Sequence, residues 1–218
     1  MSDKNTNNVE DLRQNYDSHP LTKDNINQDP LTQFDLWMKD AIQSEILEPN
    51  AMTLCTVDPT GCPQGRIVLL KGYDENGYRF FTNYGSQKGN DLIHNPRATL
   101  VFFWDKLQRQ VRITGIVRKI SAEDSTAYFK KRPIDSQMGA LASPQSQEIS
   151  DRKVLQDNLE QIQEKYEQEK TLDRPEHWGG YTVVASKIEF WQGQSSRLHD
   201  RIEFELTNGT WKKKRLAP

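Results

Sequence analysis

Apolar positions first recur with helical spacing at Leu31, Phe34, Trp37, Met38, Ala41, Ile42 and Ile46, directly after an Asp29-Pro30 start signal. That spacing predicts an amphipathic helix to about Leu47, one face of which caps a core. Upstream, residues 1–28 are polar, rich in Asn and Asp, and show no sustained apolar period. They are expected to form a mobile arm or lid. Downstream the pattern turns strand-like. "AMTLCTVD" ends at "DPTG", "GRIVLLKGY" ends at "DENG", "YRFFTN" leads into a short polar helix around "SQKGNDLIHNP", and "RATLVFFW" precedes "QRQVRITGIVRKI". Helical stretches are predicted near Ala122–Lys131 and Ser150–Glu169, the second so charged that it reads as a solvated face. The chain then returns to strand with "GYTVVASKIEFW", "RIEFEL" and "TWKKKRLAP". Tight turns between neighbouring strands imply antiparallel pairing. At least six such strands with few helices suggest a mainly β fold, a closed or partly closed barrel with flanking helices, because closure removes sticky edges.

Composition narrows this picture only a little. The chain has 218 residues, 34% of them hydrophobic and 28% charged, with a net charge of −2. This suits one domain over residues 29–218 behind the arm, and no global field marks a nucleic-acid or membrane binder. No apolar run approaches the roughly 18 residues of a membrane span, and "MSDKNTNNVEDLRQNY" lacks the apolar stretch of a secretory signal, so a cytoplasmic protein is expected. Cys55 and Cys62 read as free thiols. His19, His94, His177 and His199 are scattered, which argues against a metal site.

Any anion site must therefore be local, and several segments offer one. In "RIVLLK", Arg66 and Lys71 lie five positions apart, so continuous strand alternation sends them to opposite faces of a sheet, unless both simply project into water. "TNYGSQKGN" sets Ser86, Gln87 and Lys88 behind a glycine at a helix start, where backbone N–H groups and a lysine suit a phosphate. An ordinary strand-to-helix connection accounts for it equally well. "YFKKRPIDSQ" spaces Tyr128, Arg132 and Ser136 four apart, one helical face if Pro133 permits, and a plausible grip on phosphate or else a solvated helix end. Gln145 and Ser146 fall on a loop. In "FWQGQSSRLHDR", an extended chain after the serines puts Arg197, His199 and Arg201 on one face, with Leu198 and Asp200 on the other. Trp191 and Gln192 add an aromatic and an amide. No nucleophile–base pair stands out. The set looks built to hold two phosphorylated flat molecules against each other and to leave the chemistry to a cofactor.

"IEFWQGQSSRLHDR", "RIVLLK", "YFKKRPIDSQ" and the terminal "RLAP" resemble the pyridoxine (pyridoxamine) 5′-phosphate oxidase family, from about Leu12 to Pro218. The resemblance implies a split β-barrel that binds flavin mononucleotide (FMN) and forms a homodimer, with residues 175–218 completing the active site and the dimer interface. It implies that Arg66 and Lys88 hold the flavin phosphate, assisted by Gln145 and Ser146. Ile67, Val68, Leu69, Leu70, Lys71, Phe81, Thr82, Gln87, Gln110, Trp191 and Arg201 would line the rest of the flavin. Lys71, Tyr128, Arg132 and Ser136 would grip the substrate phosphate. Arg197 and His199 would be the catalytic pair over the substrate ring with Leu198 between them, and Arg13 and Tyr16 would close the site. The implied reaction oxidises pyridoxine 5′-phosphate or pyridoxamine 5′-phosphate with O2 to pyridoxal 5′-phosphate. Hydrogen peroxide is released, with ammonia from the amine, and hydride passes from substrate C4′ to flavin N5. The chain departs from the family pattern at Gln87, where an arginine is frequent, at Gln14, where a second arginine is common, and at Glu48, where an aspartate is expected. Two other readings remain beside this one: a flavin or pyridoxal-phosphate carrier without turnover, and a single-strand nucleic-acid barrel using Lys212 to Arg215.

Overall fold

The structure is a computed structural model that describes residues 15, 16 and 18–218. Arg13 and Gln14, singled out above, lie outside the described residues. Helix α1 spans Pro30–Gln43; Asp29 caps it by accepting a hydrogen bond from the Thr32 N–H at 2.8 Å. Its buried face carries Phe34, Trp37, Met38 and Ala41, as the periodicity predicts. The helix stops four residues before Leu47, which is 95% exposed.

Nine strands follow where at least six were expected: β1 (Ala51–Val57), β2 (Pro63–Leu69), β3 (Gly72–Asp74), β4 (Gly77–Asn83), β5 (Arg97–Trp104), β6 (Arg109–Lys119), β7 (Trp178–Gln192), β8 (Asp200–Thr207) and β9 (Thr210–Leu216). All neighbouring pairs are antiparallel, in the order β2-β1-β5-β6-β7-β4-β3, with β8 and β9 continuing from β7. The long β7 is the fork. Its first half pairs with β4 and its second with β8, while β6 follows both halves. The β6–β7 register shifts between Thr114 and Gly115, where Ser186 is the extra residue that bulges β7, and a Cβ on Gly115 would stand 2.0 Å from the Val184 carbonyl oxygen, so only glycine fits. The result is the curled, partly closed antiparallel sheet anticipated from the strand pattern.

The sheet wraps α1. The Phe34 ring, fully buried, meets Tyr73, Tyr78 and Phe102 edge-on at centroid distances of 4.9, 5.0 and 5.3 Å. Truncating such a residue to alanine costs about 3–5 kcal/mol. Part of the expected mobile arm belongs to this core, because Leu21 and Ile26 are buried in it. The Asp200 carboxylate accepts the Leu21 N–H, and Arg215 donates to the Leu21 carbonyl and to Asp200. Two isolated apolar residues show no period, which hid this docking from the sequence pattern.

Four further helices flank the sheet: α2 (Gln87–His94), α3 (Ala122–Lys131), α4 (Ile134–Ala142) and α5 (Lys153–Glu169). α4 was not foreseen. Pro133 ends α3, and its fixed φ also launches α4. Phe129, Met138, Leu172 and Trp178 form a second small core beneath these helices.

Candidate active site

A cavity of about 740 Å³ opens between β2, β4 and the α3–α4 corner, a size typical of small-molecule sites. From β2 and the residues after it come Arg66, Ile67, Val68, Leu69 and Lys71; β4 gives Phe81 and Thr82. Lys88 of α2, Gln145 of the loop after α4, and Tyr128, Arg132 and Ser136 complete the predicted members. Arg66 and Lys71 therefore share one cavity rather than taking opposite faces. The alternation breaks because β2 ends at Leu69: the Leu70 N–H turns to the Asn50 carbonyl and the Lys71 N–H to the Arg79 carbonyl, both at 2.8 Å. Tyr128, Arg132 and Ser136 likewise do not form one helical face. Arg132 is extended (φ −71°, ψ 149°) between the two helices, and the three converge around that corner.

The anchors differ in how they are held. The Arg66 guanidinium donates to Thr56 Oγ1 at 2.6 Å and stands 3.5 Å from the Asp91 carboxylate, itself bonded by the Thr56 hydroxyl. Lys88 is 9% exposed, and its ammonium donates to Gln145 Oε1 at 3.1 Å and Ser86 Oγ at 3.3 Å, both neutral. Burial, and then the nearby Arg66 charge, hold it below the ordinary lysine range, with Asp91 pulling the other way. The turn that presents Lys88 needs Gly89, because a Cβ there would lie 2.1 Å from the Tyr84 carbonyl oxygen. Arg132 is more extreme: its Nη1 is buried with no hydrogen-bond partner, and burial lowers its pKa. The Tyr128 ring stacks on Phe81 with centroids 3.8 Å apart, and burial raises its phenol pKa. A pocket whose cations, Arg66 apart, have no carboxylate partner among the described residues is complementary to an exogenous anion.

Three other predicted residues form a row elsewhere. Gln110 faces Trp191 across β6–β7, and Trp191 faces Arg201 across β7–β8. Arg201 is already paired: Nε and Nη2 donate to the two Glu189 oxygens at 2.9 and 3.1 Å, and Nη1 donates to the Ala217 carbonyl. Beside this row, His199 packs 4.7 Å from Trp191 and 5.7 Å from Tyr16, and its Nδ1 accepts the Gln194 N–H at 3.1 Å. The extended reading of this segment fails before Asp200. Ser195–Arg197 is a 3₁₀ turn in which Ser196 and Arg197 hold φ of 56° and 61°, and Arg197 and Leu198 are exposed. Neither this cluster nor the row lines the cavity.

Three predicted contacts fall outside both groups. Leu70 is buried in the core, Gln87 is exposed at the first residue of α2, and Ser146 is exposed with φ 69°. Conversely, Trp178 and Lys131 line the cavity and were not foreseen. An aromatic opening a strand at "HWGG" was the available signal for the first. Among the described residues no group of three His, Cys, Asp or Glu could hold a metal ion, and no helix is long and apolar enough to cross a membrane.

Comparison with known proteins agrees with this geometry. Residues 38–166 match the pyridoxamine 5′-phosphate oxidase family profile, and residues 178–218 match the pyridoxine 5′-phosphate oxidase C-terminal dimerisation region. The pyridoxine/pyridoxamine 5′-phosphate oxidase of Salinibacter ruber is 50% identical over 95% of this chain and 98% of its own. That of a Synechocystis strain is 51% identical over 95% and 97%. Among solved structures, PhzG from Burkholderia lata, in complex with tetrahydrophenazine-1-carboxylic acid, superposes with a TM-score of 0.85 at 26% identity, covering 92% of this chain and 99% of that one. A pyridoxamine 5′-phosphate oxidase-related, FMN-binding protein from Nostoc punctiforme, 14% identical, shares the fold at a TM-score of 0.69 over 88% and 100% of the two chains. With identity near one half along almost its whole length, the chain belongs to the pyridoxine/pyridoxamine 5′-phosphate oxidase family and is an oxidoreductase.

Proposed function

We propose that the protein oxidises pyridoxine 5′-phosphate and pyridoxamine 5′-phosphate with O2, using FMN, and works as a homodimer. The observation that carries this reading is the cavity's charge. Arg66, Lys71, Lys88 and Arg132 line it, and among the described residues Asp91 alone forms an ion pair with any of them. Two anionic tails fit such a lining. Arg66, Lys88 and Gln145 would hold the flavin phosphate, with Thr82, whose hydroxyl bonds Gln145 at 3.1 Å, along the ring system. Lys71, Tyr128, Arg132 and Ser136 would hold the substrate phosphate. Held there by these residues, FMN would supply the two-electron chemistry, taking up hydride from substrate C4′ and passing the electrons to oxygen. The alcohol yields pyridoxal 5′-phosphate and H2O2; the amine, with one water, yields ammonia as well.

The remaining contributions come from the second cluster. Because the Gln194 N–H points at Nδ1, neutral His199 carries its proton on Nε2 and acts as a hydrogen-bond donor toward a substrate oxygen. The Arg197 guanidinium offers only hydrogen-bond donors and no acceptor, so it positions the ring and stabilises negative charge there rather than taking a proton. Since this cluster lies off the cavity in one chain, a second copy is needed to bring it over the partner's cavity. Exposed Phe103 and Ile67 on the sheet, together with the match of residues 178–218 to a dimerisation region, support that arrangement. A cytoplasmic setting suits the free thiols. Purified protein should be yellow, release flavin on denaturation and consume oxygen on adding pyridoxine 5′-phosphate. Failure to take up FMN would end the flavin reading, and FMN retention without oxygen uptake would leave a carrier.

A further inference from the structure

We infer that Trp178 is a positioning residue that presents the Arg132 guanidinium to the anionic group of the substrate, an inference that rests on the oxidase reading above. The Arg132 guanidinium carbon lies 4.7 Å over the Trp178 ring and 5.9 Å from the centre of Phe129. Arg132 is half-buried, and a guanidinium so placed normally finds a carboxylate; this one has a buried, unpartnered Nη1 and an aromatic face instead. The face supplies attraction without neutralising the charge. The charge thus remains uncompensated in a residue that lines the cavity, whereas a carboxylate in the same place would compete with a ligand for it.

The ring itself is held on every side. It runs nearly parallel to Tyr128 (4°, 6.3 Å) and to Phe81 (15°, 5.5 Å), and Phe129 meets it edge-on at 5.2 Å. Arg174 fixes its backbone by donating to the Trp178 and Pro175 carbonyls, and ties it to α3 through Thr126 Oγ1 at 2.9 Å. Because α3 carries Tyr128 and ends at Arg132, one clamp sets the spacing between the platform and the cation it supports. A tryptophan that merely filled the small core would require neither the overlying guanidinium nor a place in the cavity wall.

The test uses FMN-loaded enzyme and three readouts: steady-state kinetics with pyridoxine 5′-phosphate, direct binding of pyridoxal 5′-phosphate by calorimetry, and flavin retention. Trp178→Leu should raise KM and the pyridoxal 5′-phosphate Kd by about tenfold or more, the size of a desolvated cation–π contact. Turnover should stay within about twofold and flavin retention should not change, since uniform binding is what is lost. Trp178→Phe keeps a weaker aromatic face and should raise KM and Kd by about two- to threefold, and that smaller rise carries the test if the leucine variant fails to fold. Unchanged KM and Kd in both variants would overturn the inference, as would parallel loss of KM, turnover and flavin in both, which marks a purely structural role. If the parent protein binds pyridoxal 5′-phosphate in a Trp178-dependent way yet oxidises nothing, the oxidase reading fails and the positioning role stands.

Discussion

The two halves of the candidate site treat positive charge in opposite ways. In the cavity, Lys88 has neutral partners and Arg132 an orphaned Nη1, so the chain leaves charge uncompensated. On the β6–β7–β8 row and the strand beyond it, Arg201 is bidentate to Glu189 and Arg215 is bonded to Asp200 at 2.6 Å. Uncompensated buried charge destabilises a fold unless a ligand relieves it, which is the role proposed here for the anionic tails. The paired cations instead fix shape around Trp191 and His199. On the proposed reading the cavity receives anions and the row is scaffolding for the residues assigned to the substrate ring.

The largest effects should separate the halves by function. Arg197→Met is expected to lower turnover about 10²- to 10³-fold while flavin retention stays normal, as for loss of a charge-stabilising group. Lys88→Ala should do the reverse, weakening FMN affinity by about tenfold or more and sparing the turnover of fully loaded enzyme. Parallel flavin titrations and oxygen-uptake assays check both. An exchange of these phenotypes would dissolve the distinction.

The next effect is in pH. Lys88 titrates below the ordinary lysine range in the ligand-free protein, so between that lowered value and the unfolded-state value the unfolded chain binds more protons. In that alkaline window its contribution to ligand-free stability rises with pH. FMN affinity should fall through the same window, by up to about tenfold per pH unit, because the anion needs the ammonium. Thermal melts and flavin titrations across the window should therefore trend in opposite directions, and Lys88→Met should flatten both.

How legible this division was depends on its range along the chain. α3 matches its predicted span because a capping serine and a regular apolar period are local, and β6 follows from unbroken alternation. The candidate site residues in "RIVLLK" and "RLHDR" come from motif resemblance, and their expected geometry differs from the structure wherever the chain departs from regularity: at Leu70 and Lys71, at Pro133, and at the Ser195–Arg197 turn. Period-based reasoning assumes an element continues. The candidate side chains sit where these elements stop, and partners such as Trp178 or Glu189 are set by pairings that no local pattern encodes.

Stability should divide the halves with smaller numbers. Arg201→Met strands Glu189, which is 4% exposed and keeps only the 3.3 Å contact to Arg112, at a cost of about 1–3 kcal/mol in urea unfolding. Arg132→Met removes a cation that has no carboxylate, and should leave ligand-free stability within about 1 kcal/mol of the parent. If the two cost the same, charge compensation does not distinguish the regions.

The smallest expected effect comes from two serines held at positive φ, one next in sequence to a residue of each half: Ser196 at 56° before Arg197 and Ser146 at 69° after Gln145. Left-handed backbone costs a side-chain-bearing residue roughly 1 kcal/mol, while glycine also loosens the unfolded chain, so each serine-to-glycine change should gain under about 1 kcal/mol of stability. Function should split. Ser196 precedes Arg197 in the turn that aims it, so Ser196→Gly should lower turnover a few-fold by widening the range of Arg197 and leave FMN binding alone. Ser146 follows Gln145, the acceptor for Lys88, so Ser146→Gly should loosen FMN slightly and spare turnover. Equal stability gains with opposite functional signatures would show that each turn is strained for its own half of the site; a shared signature would mean that the strain belongs to the fold.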